Sequence, residues 1–130
     1  MNGNLLDTSV IVNILRGDTE TIDFLSSLED DIFIPVIAIG ELLYGANKST
    51  RVKENTKLVD DLLEDFEILP VDDKTAEVYA RIKAWLERAG YQLPENDLWI
   101  AATAMKYGLK LATFDSHFKY INNLDTVGIE

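Results

Sequence analysis

Asn4-Leu5-Leu6-Asp7-Thr8-Ser9-Val10-Ile11-Val12 holds a short apolar run, an aspartate, two hydroxyl residues suited to cap a helix, and a second apolar stretch that continues towards Gly17. The reading is a strand over Asn4 to Leu6, then a helix that begins after Thr8 or Ser9 and stops near the glycine. The same alternation continues along the chain. Strand-length runs recur at Ile32 to Ile34, Ile68 to Leu69 and Leu109 to Thr113, with a fifth candidate at Thr126 to Ile129. Between them the spacing predicts helices over Thr19 to Leu28, with Ile22, Phe24 and Leu25 facing inward, and from Pro35 in a first turn through Glu41 to about Lys48. Further helices are predicted over Arg51 to Phe66 with Val52, Thr56, Val59, Leu63 and Phe66 on one buried face, over Lys74 to Ala89 with a stripe of Ala76, Tyr79 and Ile82 beside Val78 and Trp85, and from Asn96 or Asp97 to Tyr107. Strands separated by helices need crossover connections. The expectation is therefore an α/β fold with a mostly parallel sheet of four or five strands covered on both faces, whose ligands bind beyond the carboxyl ends of the strands.

At 130 residues, with no repeat and no linker-like tract, the chain is expected to form a single domain over residues 1–130. Cysteine is absent and His117 is the only histidine, which excludes disulfides, thiol nucleophiles, cysteine-built zinc sites and a histidine-rich metal cage. What remains in quantity is carboxylate, and the formal net charge is −11. Such a charge opposes long-range attraction to nucleic acid. Much of it is local, however: Asp60, Asp61, Glu64, Asp65, Glu67, Asp72 and Asp73 fall in one stretch without Lys or Arg, which reads as the solvated face of a helix and its flank. The apolar runs Ile32 to Gly40 and Leu98 to Met105 are far below the roughly 18 residues a membrane span needs. The first residues carry no cationic leader, so a cytoplasmic protein with no membrane segment is expected.

Four acids stand apart because each interrupts an apolar or small-residue setting. Asp7 and Asp115 each follow a strand; Glu41 lies in the nearly apolar helix Ile37-Ala38-Ile39-Gly40-Glu41-Leu42-Leu43-Tyr44-Gly45; and Asp97 opens the helix in Pro94-Glu95-Asn96-Asp97-Leu98-Trp99-Ile100-Ala101-Ala102. A lone carboxylate in such surroundings needs a cation or solvent. Two strand-end acids and two helical acids that can return to one sheet edge make a convergent pocket, and hard oxygen donors without histidine or cysteine select Mg²⁺ or Mn²⁺.

The ordered set Leu6-Asp7-Thr8-Ser9, Gly40-Glu41-Leu42-Leu43-Tyr44-Gly45, Pro94-Glu95-Asn96-Asp97-Leu98-Trp99-Ile100-Ala101-Ala102-Thr103-Ala104 and Leu111-Ala112-Thr113-Phe114-Asp115 resembles the PIN domain, and within it the VapC-type ribonuclease toxins of toxin-antitoxin pairs. The resemblance spans essentially the whole chain. It implies a PIN-like α/β/α sandwich acting as a Mg²⁺-dependent endoribonuclease, with Mn²⁺ as a substitute. The family's acidic quartet falls on Asp7, Glu41, Asp97 and Asp115 as metal-holding and catalytic residues, and its recurrent hydroxyl falls on Thr113. Thr8 and Ser9 are candidates to support the carboxylates, and Arg16, Lys48, Arg51, Lys106 or Lys110 to meet the RNA, although solvated surface is the simpler reading of those five. The resemblance also implies an RNA substrate, a cognate antitoxin and a homodimer paired through helices. The chain departs from the family at Phe114, where many members carry a basic residue beside the last acid.

Two other classes compete. A PIN-fold interaction module with weak or no nuclease activity would dispense with the acids, all four of which are present. A phosphoacceptor signalling receiver, also small and acidic, would need an aspartate after a middle strand and a lysine after a late one. Here Pro70-Val71-Asp72 follows the middle strand and no lysine follows Thr113 directly.

Overall fold

The computed structural model describes residues 2–129, so Met1 and Glu130 of the expected domain lie outside the described residues. Five strands, β1 (Gly3–Leu6), β2 (Asp31–Pro35), β3 (Glu67–Leu69), β4 (Lys110–Ala112) and β5 (Thr126–Val127), form one sheet in the order β3-β2-β1-β4-β5. Every pairing is parallel. Six helices make the crossovers: α1 (Thr8–Leu15), α2 (Thr19–Ser27), α3 (Val36–Lys48), α4 (Val52–Leu63), α5 (Asp73–Ala89) and α6 (Glu95–Tyr107); a 3₁₀ turn, Ser116–Tyr120, follows β4. The chain builds outward from β1 to β3, then crosses back to lay β4 on the other side of β1. The carboxyl ends of β1 and β4 therefore flank the point where the winding reverses, which is where open sheets of this kind form a crevice.

The sheet is buried on both faces because alternate residues of each strand feed opposite cores. Leu5, Phe33 and Leu111 join Ile82, Leu86, Leu98, Ile100 and Phe118 on the side of α5 and α6. Leu6, Ile34 and Ala112 join Val10, Ile11, Ala38, Leu42 and Val59 on the side of α1, α3 and α4. Helix α6 is buried through Leu98, Ile100, Ala101, Ala102, Thr103 and Ala104. Its small side chains let it lie close to the sheet while α5 covers its outer flank.

Helix phases differ from expectation in three places. In α5 the buried positions are Thr75, Ile82 and Leu86, while Ala76 and Trp85 face water. Asp72 sets that phase: its carboxylate accepts from the Thr75 amide at 3.0 Å and the Thr75 hydroxyl accepts from the Asp72 amide at 3.3 Å, a reciprocal cap that turns Thr75 inward. In α2 it is Thr21, bonded to Asp18, that turns inward, and Ile22 is exposed. Val52 at the start of α4 is exposed as well. Pro35 ends β2 and caps α3 instead of sitting within its first turn, and α6 starts at Glu95 behind Pro94.

Gly128, at φ +104°, lets the carboxyl end of β5 pass the loop after β4; a Cβ there would stand 2.7 Å from the Thr113 carbonyl oxygen and 2.9 Å from Phe24 Cζ. Gly128→Ala is expected to cost about 1–3 kcal/mol, read as a lowered denaturant midpoint at unchanged slope.

Candidate active site

Asp7 follows the central strand and is 4% exposed. It stands at the N-cap of α1, yet its carboxylate makes no capping bond. Oδ2 instead accepts from the Thr113 hydroxyl at 2.7 Å and from the Ser9 hydroxyl at 3.0 Å. An acid that gives up the cap its position offers, and is buried while held by hydroxyls, is held for another purpose. Thr113 is fully buried and links the two strand ends, since its Oγ1 also accepts from the Asp115 amide at 3.1 Å. Thr113→Val should therefore cost about 1–3 kcal/mol of stability, with Thr113→Ser close to wild type in thermal melts.

Glu41 reaches the same edge from α3, where Thr8 donates to its Oε1 at 2.8 Å. Asp97, in the first turn of α6, faces both acids. Burial pushes its carboxyl up to about 6, the negative charge of Asp7 adds to that, His117 opposes it, and Glu41 adds a little more. Asp115 caps the 3₁₀ turn through the His117 amide at 3.1 Å. The fold thus brings all four acids singled out in the sequence to one end of the sheet, with Thr113, Thr8 and Ser9 bonded to them.

His117 was not legible as part of this group. The 3₁₀ turn swings its ring between two of the acids, with Nε2 2.9 Å from Asp97 Oδ2 and Nδ1 2.9 Å from Asp115 Oδ1. Nε2 is buried and makes no aligned hydrogen bond, although Asp97 Oδ2 stands beside it. Asp97, Asp115 and His117 offer ligand atoms that all lie within 4.8 Å of one another. The available signal was the spacing in Asp115-Ser116-His117, a histidine two residues past a strand-end acid.

The cations named from sequence are mostly engaged elsewhere. Lys106 pairs with Asp72 at 3.1 Å and lies over the Tyr107 ring; Arg51 pairs with Glu54; Lys48 lies over Tyr44; and Lys110 opens β4, at the end of the sheet away from the pocket. Arg16 lines a groove of about 360 Å³ that it shares with Glu41, walled by Val12, Leu15, Leu42 and Leu58. Phe114, exposed by 41%, packs its ring 5.0 Å from that of Phe24. Asp72, the candidate phosphoacceptor of the receiver reading, caps α5 and pairs with Lys106.

A PIN-domain family model matches residues 5–124. The chain belongs to the PIN-domain family, among the VapC ribonucleases. Ribonuclease VapC2 of Haemophilus influenzae is 32% identical over 110 residues, covering 84% of this chain and 83% of the relative. VapBC2 from Rickettsia felis, crystallised bound to a DNA fragment from its promoter, superposes with a TM-score of 0.90 at 29% identity and covers 96% of this chain and 97% of that one. VapBC-5 from Mycobacterium tuberculosis, a member of the VapBC family of toxin-antitoxin systems, gives 0.75 at 28% identity over 98% of this chain and 95% of that one. The five-stranded parallel sheet described above is the PIN fold of these VapC structures. Among the described residues no helix is long and apolar enough to cross a membrane.

Proposed function

We propose that this PIN domain is a divalent-metal-dependent endoribonuclease, the toxin of a toxin-antitoxin pair, and that Asp7, Glu41, Asp97 and Asp115 hold the metal, Mg²⁺ or Mn²⁺. The observation that carries the reading is the convergence of four carboxylates at one strand edge, where Asp7 and Glu41 raise the cost of ionising Asp97. Mutual repulsion at a buried edge has no structural benefit, and an oxygen-donor set of this kind fits a hard divalent cation. When bound, such a cation supplies charge neutralisation at the scissile phosphate and activates water. The residues of the chain do the rest. Thr113 and Ser9 fix the Asp7 carboxylate through Oδ2, which leaves Oδ1 for the site. Thr8 occupies Glu41 Oε1, which leaves Oε2 to take a proton from the attacking water or to hold metal.

Purified protein should cut single-stranded RNA in Mg²⁺ or Mn²⁺ and stop on addition of EDTA. Cleavage that persists in EDTA overturns the metal role, and the absence of cleavage with either ion turns the assignment to a PIN-fold interaction module.

An antitoxin partner follows from the same reading, supported by the complexes in which the neighbours were solved. The apolar groove beside Glu41 suits an inhibitory segment, and a basic side chain at its end would enter the four-acid pocket. Expression from the native operon should yield the protein bound to a small partner; an active protein recovered alone would count against it. We further propose a homodimer, supported by the exposed Ile22, Val36 and Tyr44 on α2 and α3, to be read as twice the 14.6 kDa chain mass in light scattering. A cytoplasmic location belongs to the same proposal, since an RNA substrate would be met there.

A further inference from the structure

We infer that His117 Nε2 is a direct ligand of the metal, shared with Asp97, and that it tilts the site towards Mn²⁺ over Mg²⁺. The inference rests on reading the pocket as a divalent-cation site. Its basis is the placement of the two ring nitrogens. Nδ1 stands 2.9 Å from Asp115 Oδ1, an oxygen that also accepts from the His117 amide, so a carboxylate lies beside this nitrogen. Metal-binding histidines are oriented in this way, with one nitrogen handed to a carboxylate so that the other keeps its lone pair and a fixed direction. The other nitrogen here is Nε2, buried, without an aligned hydrogen bond, and 2.9 Å from Asp97 Oδ2. A lone pair facing a carboxylate oxygen at that distance is unfavourable unless a cation joins them. Two neighbouring ligands of an octahedral ion with bonds of about 2.1 Å lie about 3 Å apart, so the pair is already spaced as adjacent ligands. Asp115 completes a set whose ligand atoms lie within 4.8 Å.

The chemistry of the donor sets the preference. Mg²⁺ takes oxygen ligands and gives up water reluctantly, so an imidazole adds little to its binding, whereas first-row transition ions accept nitrogen readily. The same ring holds the 3₁₀ turn against α6, which explains why a polar side chain is kept 28% exposed at a turn that otherwise buries Phe118.

The test uses the protein with any purification tag removed, because His117 is then the only imidazole in the chain. Mn²⁺ is titrated by electron paramagnetic resonance, and the bound ion is examined by electron spin echo modulation for directly coupled ¹⁴N. The expected result is bound Mn²⁺ with imidazole ¹⁴N coupling that disappears in His117→Gln. In that variant Mn²⁺ affinity should fall at least about tenfold and Mg²⁺ affinity less than about threefold. Bound Mn²⁺ without ¹⁴N coupling in the wild type overturns the ligand assignment and leaves the acidic site standing. No bound Mn²⁺ at millimolar concentration overturns the metal site itself. The wild-type spectrum decides the question even if His117→Gln folds poorly.

Discussion

Asp97→Asn lowers RNA cleavage by at least about a hundredfold while the metal-free protein melts no lower than wild type. The two halves of this expectation come from one arrangement. Asp97 is partly buried against Asp7 and Glu41, and in the absence of a cation its charge is a net cost, as its carboxyl near 6 records. Asparagine keeps the volume and removes the charge. It also removes an oxygen donor from the set that holds the metal, so function falls where stability does not. A different outcome is required if Asp97 is only an acid in the first turn of α6. Neutralising it would then forfeit about 0.3–1 kcal/mol of interaction with the helix dipole and leave cleavage intact. RNA cleavage and thermal melts in EDTA, run on both proteins, separate the two; cleavage at the wild-type rate by the variant rules out the pocket as drawn.

The second large effect is a stability profile that runs opposite to ordinary acid denaturation. The folded-state carboxyl of Asp97 lies near 6 and its reference value is 3.8, so between these values the native state holds the proton more tightly than the unfolded chain. Stability from this group is complete below about pH 4 and is lost as pH rises through about 6, a loss of at most about 3 kcal/mol. In EDTA, the melting temperature of wild type relative to Asp97→Asn should fall over that interval and level off above it. Divalent metal should reverse the loss at neutral pH, where the acids are ionised. At a hundred times its dissociation constant the ion contributes about 2.7 kcal/mol, roughly 10 °C for a domain of this size. A wild-type protein whose melting temperature at pH 7 is indifferent to millimolar Mg²⁺ and Mn²⁺ would have no such site.

How far these features could be read in advance depended on how local their causes are. The strands were legible because a parallel sheet buried on both faces leaves continuous apolar runs such as Ile32-Phe33-Ile34, and the acids after β1 and β4 were legible because they break such runs. The phase of α5 was not. Ala76 and Trp85 satisfy an apolar stripe as well as Thr75 and Leu86 do, and the choice is made by the Asp72 cap, a hydrogen-bond geometry with no hydrophobic signature. Ile22 was misplaced for the same reason, since the bond between Asp18 and Thr21 turns the helix. His117 escaped notice because its position depends on a 3₁₀ turn that folds back to α6, and a count of ligand types treats one histidine as too few.

The hydroxyl of Thr113 meets the carboxylate of Asp7 across 106 positions of sequence. A growing polypeptide therefore carries Asp7 and Glu41 early and has nothing to complete the pocket until α6, β4 and the turn beyond have been added and β4 has slotted in beside β1. The proposed pocket is thus a product of long-range assembly, and a chain cut short before α6 would retain Asp7 and Glu41 but lack Asp97, Thr113 and Asp115 together.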